Sequence, residues 1–239
     1  MDRSAFLGLL AAAGTASPPA NEFAEADRLA AGGLGVVAFE RGSARRWQLR
    51  PDRHFRMASV FKLPLAAYVW EQVDAGEIGR GSAIPIRKSD LRPGPGTTEA
   101  DTSVPPLVLV GRMLRDSDNT AADVLLRTIG GPRPVNRWLA RRSFDIHVNS
   151  TEADMARAPA TVPHAGDLRD TATPAAMATF LDLLVHGDLV GAEATAETPA
   201  DAKASLGPLA YAITAVRKWA ENSTRHAAFA SAGFDLDVD

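Results

Sequence analysis

The pattern of apolar and polar positions predicts a chain that mixes helices with a few strands. Residues 21–31 carry apolar side chains on one side of a helix, whereas residues 34–40 and 45–50 have the β-rich composition of two strands joined by a turn. From residue 62 to residue 189 helical patterns prevail. A sheet flanked by helices, beside an all-helical lobe, is the architecture that this order implies.

One predicted helix is almost wholly apolar and begins with a Ser-x-x-Lys motif, Ser59 to Lys62. A helix that is apolar all round is a buried one. Side chains three positions apart share one helical face, and a lysine can accept a serine proton if burial lowers its pKa. The unpaired N–H groups at the start of the helix are suited to stabilising an oxyanion. The alternative interpretation makes Ser59 an ordinary helix N-cap.

A second motif, Ser117-Asp118-Asn119, lies between two apolar helical stretches. Alone it is typical of a turn with a capping side chain. Ser-x-x-Lys and Ser-Asp-Asn are, however, two of the three signatures of class A β-lactamases and penicillin-binding proteins, and the chain resembles that family over roughly residues 25–190. Residues 168–178 are similar to the family's segment in which the omega loop ends and a helix begins, with Thr173 as a plausible N-cap and Pro174 at the first helical position.

The resemblance implies a role for each of five residues. Ser59 would be the nucleophile that opens a β-lactam ring, and Lys62 would accept its proton directly or through Glu152. Ser117 would relay a proton to the departing lactam nitrogen, and Asn119 would hydrogen-bond to the substrate and to Lys62. Glu152 would activate the water that hydrolyses the acyl-enzyme, although an exposed loop position is the commonest fate of a glutamate. The fold expected from the resemblance is α/β (α+β) and β-lactamase-like, with the site between its two lobes.

The C-terminal part departs from the family pattern. The third signature, Lys-Thr-Gly, is absent, and the stretch from about residue 190 lacks strand periodicity except at residues 234–238. We therefore expect the C-terminal strands of the sheet to be missing or altered. In the family, the missing strand supplies an oxyanion donor, and losing one such donor costs on the order of 100- to 1,000-fold in turnover.

The omega-loop region departs as well. Asn149 and Ser150 stand where the family carries an arginine, so Asp170 is expected to lack its usual partner. Ala156 stands where the family has a water-holding asparagine, and the loop before Asp170 is longer than usual. These changes threaten deacylation more than acylation.

Composition sets further limits on function. The chain has 239 residues, 46% of them hydrophobic, a net charge of −3 and no cysteine. This composition gives no electrostatic case for nucleic acid and excludes disulfides and thiolate metal sites. We expect a monomer, and we expect no cofactor, metal or stable membrane span. The five histidines have no metal-ligand spacing along the chain and are interpreted as surface or capping residues: His54, His147, His164, His186 and His226.

The N-terminus has the character of a targeting segment. Residues 1–20 combine one arginine, an apolar run too short to span a bilayer, and small residues with prolines, as in a signal peptide. Export to the periplasm or outside the cell is therefore expected, with a short N-terminal helix as the alternative. The predicted division is a signal peptide at 1–20, a serine hydrolase domain at 21–190, and a divergent tail of the same domain at 191–239.

The leading functional hypothesis is a secreted serine β-lactamase that acts through a Ser59 acyl-enzyme and confers antibiotic resistance. Within the enzyme class, the alternative is an acyl-transferring protein that resembles penicillin-binding proteins or D-Ala-D-Ala peptidases. Outside that class, an inactive, truncated relative of the β-lactamases is the alternative. A covalent penicillin label on Ser59, and the rate at which it leaves, separate the three.

Overall fold

The computed structural model describes residues 23–29, 33–39, 44, 46–94, 96–157, 167–185 and 189. The predicted signal peptide, residues 158–166 of the long loop and the tail with its candidate strand at 234–238 lie outside this part of the chain. The helices within the described residues are α1 (Ala24–Leu29), α2 (Lys62–Asp74), α3 (Pro106–Arg115), α4 (Asn119–Thr128), α5 (Pro132–Arg141), α6 (Glu152–Arg157) and α7 (Pro174–Val185). The strands are β1 (Val36–Phe39), β2 (Arg46–Leu49), β3 (Phe55–Arg56), β4 (Ile84–Ile86), β5 (Thr102–Val104) and β6 (Thr171–Ala172).

The described strands form three antiparallel pairs. The predicted opening hairpin is present, with β1 paired to β2 so that Val36 faces Leu49. Helix α7 packs against β1, which covers one face of this hairpin. The other two pairs, β3 with β6 and β4 with β5, lie within stretches where the sequence pattern predicted helices or no element.

Helix α2 lies at the centre of the helical lobe. It packs against α3, α4 and α5, and its buried positions include Leu65 and Val69, both fully inaccessible. Burying a side chain of this kind stabilises the fold by roughly 1.5–3 kcal/mol. The predicted all-round burial of this helix is therefore confirmed. Since Lys62 is its first residue, the helix that anchors the lobe also carries a motif residue.

Two helices begin at residues that suit a helix start, and the predicted Thr173 cap is one of them. Gly130 and Gly131 have φ values of 83° and 93°, a conformation that glycine adopts without steric cost, and α5 begins at the following Pro132. At the start of α7, the Thr173 hydroxyl accepts a hydrogen bond from the Ala176 amide at 3.2 Å, as an N-cap does. Among the described residues no helix is both long and apolar enough to cross a membrane.

Candidate active site

The Lys62 ammonium is the centre of the candidate site. The residue is 2% exposed, and four oxygens surround its Nζ atom. The Ser117 carbonyl and hydroxyl oxygens lie at 2.9 and 3.2 Å, and Asn119 Oδ1 lies at 2.7 Å. Glu152 Oε1 lies at 2.9 Å. An ammonium has three hydrogens, so four acceptors cannot all be satisfied. The Glu152 contact is therefore best described as an ion pair, since its Oε1 accepts no hydrogen bond from the described residues.

Burial lowers the pKa of Lys62 below its ordinary value of 10.5. The ion pair with Glu152, and then the charges of Asp118 and Asp123, act in the opposite direction without offsetting the burial. A lysine with a lowered pKa is more readily deprotonated near neutral pH and can then accept a proton. The position of Lys62 is therefore chemically suited to a base.

Ser59 lies one turn before Lys62, in a short 3-10 helix over Ala58–Phe61. Its side chain is exposed, and its hydroxyl makes no hydrogen bond to any described residue, whereas its carbonyl oxygen accepts from the Lys62 amide. The N-cap positions of the 3-10 helix and of α2 are Met57 and Phe61, so the interpretation of Ser59 as an N-cap is wrong. Ala58 has a φ of 45°, a left-handed conformation that costs a non-glycine residue of order 1–3 kcal/mol and is concentrated at functional sites.

The Ser117-Asp118-Asn119 motif joins α4 to the described residues of the loop at 93–94 and 96–98. Ser117 has a φ of 54°, and the fully buried Asp118 caps α4 by accepting a hydrogen bond from the Ala121 amide at 2.9 Å. The capping expected of such a turn is thus present. The other carboxylate oxygen of Asp118 accepts from the Thr97 amide and from the Thr98 amide and hydroxyl, at 2.7–2.9 Å.

Asn119 connects the same loop to Lys62. Its Nδ2 donates to the Pro93 carbonyl at 2.9 Å, while its Oδ1 accepts from Lys62. A Cβ atom at Gly94 would lie 2.6 Å from Asn119 Nδ2, and one at Gly96 would lie 2.7 Å from the Asp118 carboxylate. The two glycines therefore allow the loop to approach the motif closely.

Glu152 is the first residue of α6, and its side chain is only 14% exposed. The interpretation of Glu152 as an exposed loop residue is therefore wrong. The Thr151 amide donates to the Asp154 carboxylate, and the Asp154 amide donates to the Thr151 hydroxyl. This reciprocal pair is a capping box, and it marks the start of α6. The Asp123 carboxylate accepts from the amides of Glu152, at 2.7 Å, and Ala153, at 3.1 Å.

The segment that leads to Glu152 is held from two sides. Asp170 Oδ1 accepts from the amides of Asn149 and Ser150 at 2.8 and 2.9 Å, and Asn136 exchanges hydrogen bonds with the backbone of Val148. As expected, Asp170 lacks the family's arginine partner, and Asn149 and Ser150 contact its carboxylate through their backbone amides instead. Two backbone amides occupy its carboxylate at the positions where the family pattern carries an arginine side chain.

Four of the five predicted residues therefore contact one another around Lys62 Nζ, and Ser59 lies one turn away with an unpaired hydroxyl. The sequence interpretation missed Asp123 and Arg92, whose guanidinium forms an ion pair with Asp123. A signal for Asp123 was present, because it is one helical turn after Asn119 and is the one acidic residue in the apolar stretch 121–126. Nothing in the sequence indicated that Arg92 would reach it.

Comparison with known proteins identifies the family. The Beta-lactamase enzyme family matches residues 19–199. The chain belongs to this family. A β-lactamase from Rhodobacter capsulatus is 31% identical over 67% of this chain and 54% of its own length. The β-lactamase L2 of Stenotrophomonas maltophilia is 34% identical over 72% of this chain and 56% of its own length. The chain thus spans about half the length of the curated relatives it matches.

Solved structures agree with this assignment. A β-lactamase from Xanthomonas campestris pv. campestris has a TM-score of 0.68 at 29% identity, covering 90% of this chain and 73% of that one. An ancestral class A β-lactamase has a TM-score of 0.67 at 29% identity, covering 90% of this chain and 75% of that one. The predicted resemblance and the mixed α and β fold class are confirmed. The expected alteration of the C-terminal strands concerns residues outside the described part of the chain.

Proposed function

We propose that this protein is a serine β-lactamase that hydrolyses the β-lactam amide through an acyl-enzyme on Ser59. The observation that carries the proposal is the buried Lys62 Nζ, which contacts Ser117, Asn119 and Glu152 and follows Ser59 by one turn. Lys62 is buried, burial lowers its pKa, and the exposed Ser59 precedes it by one turn of the chain.

Acylation is the first step. Ser59 Oγ attacks the lactam carbonyl carbon, and its proton passes to the Lys62 amine, directly or through Glu152. The carbon–nitrogen bond of the ring breaks, and Ser117 delivers a proton to the departing nitrogen while it takes one from Lys62. Asn119 holds Lys62 and hydrogen-bonds to the substrate. The product of this step is an ester between Ser59 and the opened ring.

Deacylation is the second step. The Glu152 carboxylate takes a proton from a water molecule, which attacks the ester carbon, and Ser59 leaves with a proton returned to its oxygen. The cluster around Asp123 supports this role, because it holds the backbone at which Glu152 starts α6. The hydrolysed product then carries a carboxylate in place of the lactam amide.

Two variants test these roles. Ser59→Ala is expected to abolish covalent labelling by benzylpenicillin, with the exposed Ser103→Ala as a matched control that labels normally. Glu152→Ala is expected to label and to prolong the lifetime of the adduct, with the exposed Glu77→Ala as its control. Intact mass spectrometry measures both. Persistent labelling of Ser59→Ala, or an unchanged adduct lifetime in Glu152→Ala, rejects the corresponding role.

The second candidate function is acyl transfer without efficient hydrolysis, as in penicillin-binding proteins and D-Ala-D-Ala peptidases. The observation that favours it is Ala156, which is exposed on α6 one turn after Glu152 and offers no side-chain group to hold a water. An adduct that persists for hours in the native protein supports this candidate. An inactive relative, favoured by the missing Lys-Thr-Gly, forms no adduct at all.

Export and antibiotic resistance are part of the proposal. The apolar run in residues 1–20 supports export. Export would place the enzyme where β-lactams act, which is outside the cytoplasm. N-terminal sequencing of the protein from a periplasmic fraction is expected to show cleavage near residue 20. Expression in a susceptible host is expected to raise the penicillin concentration that inhibits growth, and Ser59→Ala is expected to remove that effect.

A further inference from the structure

We propose that His54, Asp145 and His147 form a binding site for a divalent transition-metal ion of the Zn²⁺ class. One ligand atom from each of the three side chains lies within 4.8 Å of the other two. His54 Nε2 is 3.0 Å from Asp145 Oδ2, and His147 Nε2 is 3.0 Å from Asp145 Oδ1. This proposal departs from the sequence-based interpretation of these two histidines as surface or capping residues with no metal site.

The backbone explains how the three side chains meet. Residues 145–147 run beside β6 in an extended conformation, with a bridge between Ile146 and Ala172 and a bond from the His147 amide to the Thr171 carbonyl. Successive side chains of an extended segment point to opposite faces. Ile146 therefore enters the core, where it is 2% exposed, and Asp145 and His147 share the outer face.

His54 joins this face from the other side of β6. It precedes β3, which pairs with β6 through Phe55 and Ala172. The His54 and His147 rings have centroids 5.5 Å apart and planes tilted by 47°. Strand β6 thus brings together two segments that are 91 residues apart in the chain.

Hydrogen-bond direction assigns the free nitrogen of His54. The Thr171 hydroxyl donates to the Leu168 carbonyl at 2.7 Å, so its oxygen can only accept from His54 Nδ1, which lies at 3.0 Å. A hydrogen on His54 Nδ1 leaves Nε2, 3.0 Å from Asp145 Oδ2, as the ring atom that would bind a metal. A hydrogen bond from the other ring nitrogen to a hydroxyl or carbonyl is what orients metal-bound histidines.

The chemistry of the donors selects the class of ion. Two imidazole nitrogens and a carboxylate oxygen suit Zn²⁺, Ni²⁺ and Cu²⁺ rather than Mg²⁺ or Ca²⁺. Ligand atoms of a tetrahedral zinc site are about 3.3 Å apart, which follows from bond lengths of about 2.0–2.2 Å. The two histidine nitrogens lie 3.0 Å from different oxygens of the Asp145 carboxylate, and one ligand atom from each residue lies within 4.8 Å of the other two. Rotation of the side chains must therefore bring the three atoms closer around a bound ion. Three protein ligands leave a fourth position for water, and the exposed face gives access.

A bound ion would join two segments that each lead into the candidate active site. His54 lies five residues before Ser59, and His147 lies five residues before Glu152. The ion therefore adds a cross-link between the strand before the nucleophile and the segment before the glutamate. The proposal does not depend on the proposed activity, because it concerns binding and stability.

The test uses the full chain without an affinity tag, treated with a chelator and titrated with ZnCl₂. Calorimetry measures stoichiometry and affinity, and thermal unfolding followed by circular dichroism measures stabilisation. We expect one Zn²⁺ per chain, and at 100 times Kd a rise in Tm of about 5–10 °C. His54→Gln, Asp145→Asn and His147→Gln are each expected to weaken binding at least about tenfold.

The control is His226→Gln, which removes a histidine outside the described residues and is expected to bind as the unmodified chain does. Circular dichroism without metal verifies that each variant is folded. A Kd for Zn²⁺ above about 1 mM in the unmodified chain overturns the proposal. If the three ligand variants bind Zn²⁺ with the same affinity as the unmodified chain, the proposal is also overturned, because the ion would then bind elsewhere.

Discussion

At the residue scale, the state of Lys62 decides whether the site can activate Ser59. The residue is almost fully buried, and burial lowers its pKa despite the nearby carboxylates. In the proposed mechanism, the amine form accepts the Ser59 proton, which the ammonium form cannot do. The ion pair with Glu152 would then connect the proposed base of the first step to that of the second.

We expect the acylation rate constant to rise with pH and to level off above the pKa of Lys62, at a pH below 10.5. The sign follows because deprotonation creates the base and burial shifts deprotonation to lower pH. Lys62→Arg keeps a permanently protonated group and is expected to remove the rise and slow acylation by about 10²–10⁴-fold. Stopped-flow measurement with a chromogenic β-lactam gives the profile. The exposed Lys88→Arg serves as control, and a native profile in Lys62→Arg contradicts the assignment.

Asp123 is a positioning residue for Glu152. It accepts hydrogen bonds from the amides of Glu152 and Ala153 and pairs with Arg92, so we expect Asp123→Ala to loosen the start of α6. Its charge also acts on the pKa of Lys62, but Asp123 makes no hydrogen bond to Ser59 or Lys62 among the described residues. We expect deacylation to slow by about 10- to 100-fold, the cost of a small misplacement of a reacting group, with acylation much less affected. Single-turnover mass spectrometry separates the two rates, and the exposed Asp52→Ala is the control. Equal losses in both steps contradict a role specific to Glu152.

At the element scale, Asp118 joins α4 to the loop at residues 93–98. Its buried carboxylate accepts from the Ala121 amide, the Thr97 amide, and the amide and hydroxyl of Thr98. The loop also reaches Asn119, which contacts Lys62. A local contact that stabilises the helix therefore also orders a wall of the site.

We expect Asp118→Ala to lower the free energy of unfolding by at least about 3 kcal/mol, because several buried donors lose their acceptor. Urea denaturation followed by circular dichroism measures this change. Asp52→Ala, at an exposed position, is expected to stay within about 0.5 kcal/mol of the native value. A loss in Asp118→Ala no larger than that of the control contradicts the structural role.

Local signals predicted several elements, and long-range contacts account for what was missed. The β1–β2 hairpin, the buried α2 and the Thr173 cap follow from neighbouring residues, so the sequence was sufficient. The β3–β6 pair and the contact of Asp123 with Glu152 join residues far apart in the chain, the latter by 29 positions. Two-residue strands carry no periodicity, and no spacing rule indicates such contacts.

The residues around Lys62 were predicted by resemblance to a family and not by local signals. Local propensity cannot show that separate segments meet in space, so it could not have assigned Ser59, Ser117 and Glu152. The resemblance also indicated that Asp170 lacks the family's arginine, but it could not indicate the two backbone amides that replace it, because a backbone partner leaves no trace in residue type. The proximity of His54 and His147 follows no sequence motif, because it is β6 that brings their two segments together.

At the scale of the whole molecule, the chain has the family's fold but lacks one of its signatures. It spans about half the length of its curated relatives, and Lys-Thr-Gly is absent from its sequence. If the oxyanion donor of that strand is not replaced, we expect acylation by benzylpenicillin to be about 100- to 1,000-fold slower than in β-lactamase L2 of Stenotrophomonas maltophilia. Parallel stopped-flow assays compare the two. Equal rates would mean that another backbone donor has taken its place.

Time-resolved intact mass spectrometry of the purified chain with benzylpenicillin tests the central claim most directly. We predict an adduct of one benzylpenicillin per chain, located on Ser59 by peptide mapping, which forms and then clears as the hydrolysed product accumulates. A folded protein that forms no adduct at saturating benzylpenicillin, or forms it on a residue other than Ser59, would contradict the account.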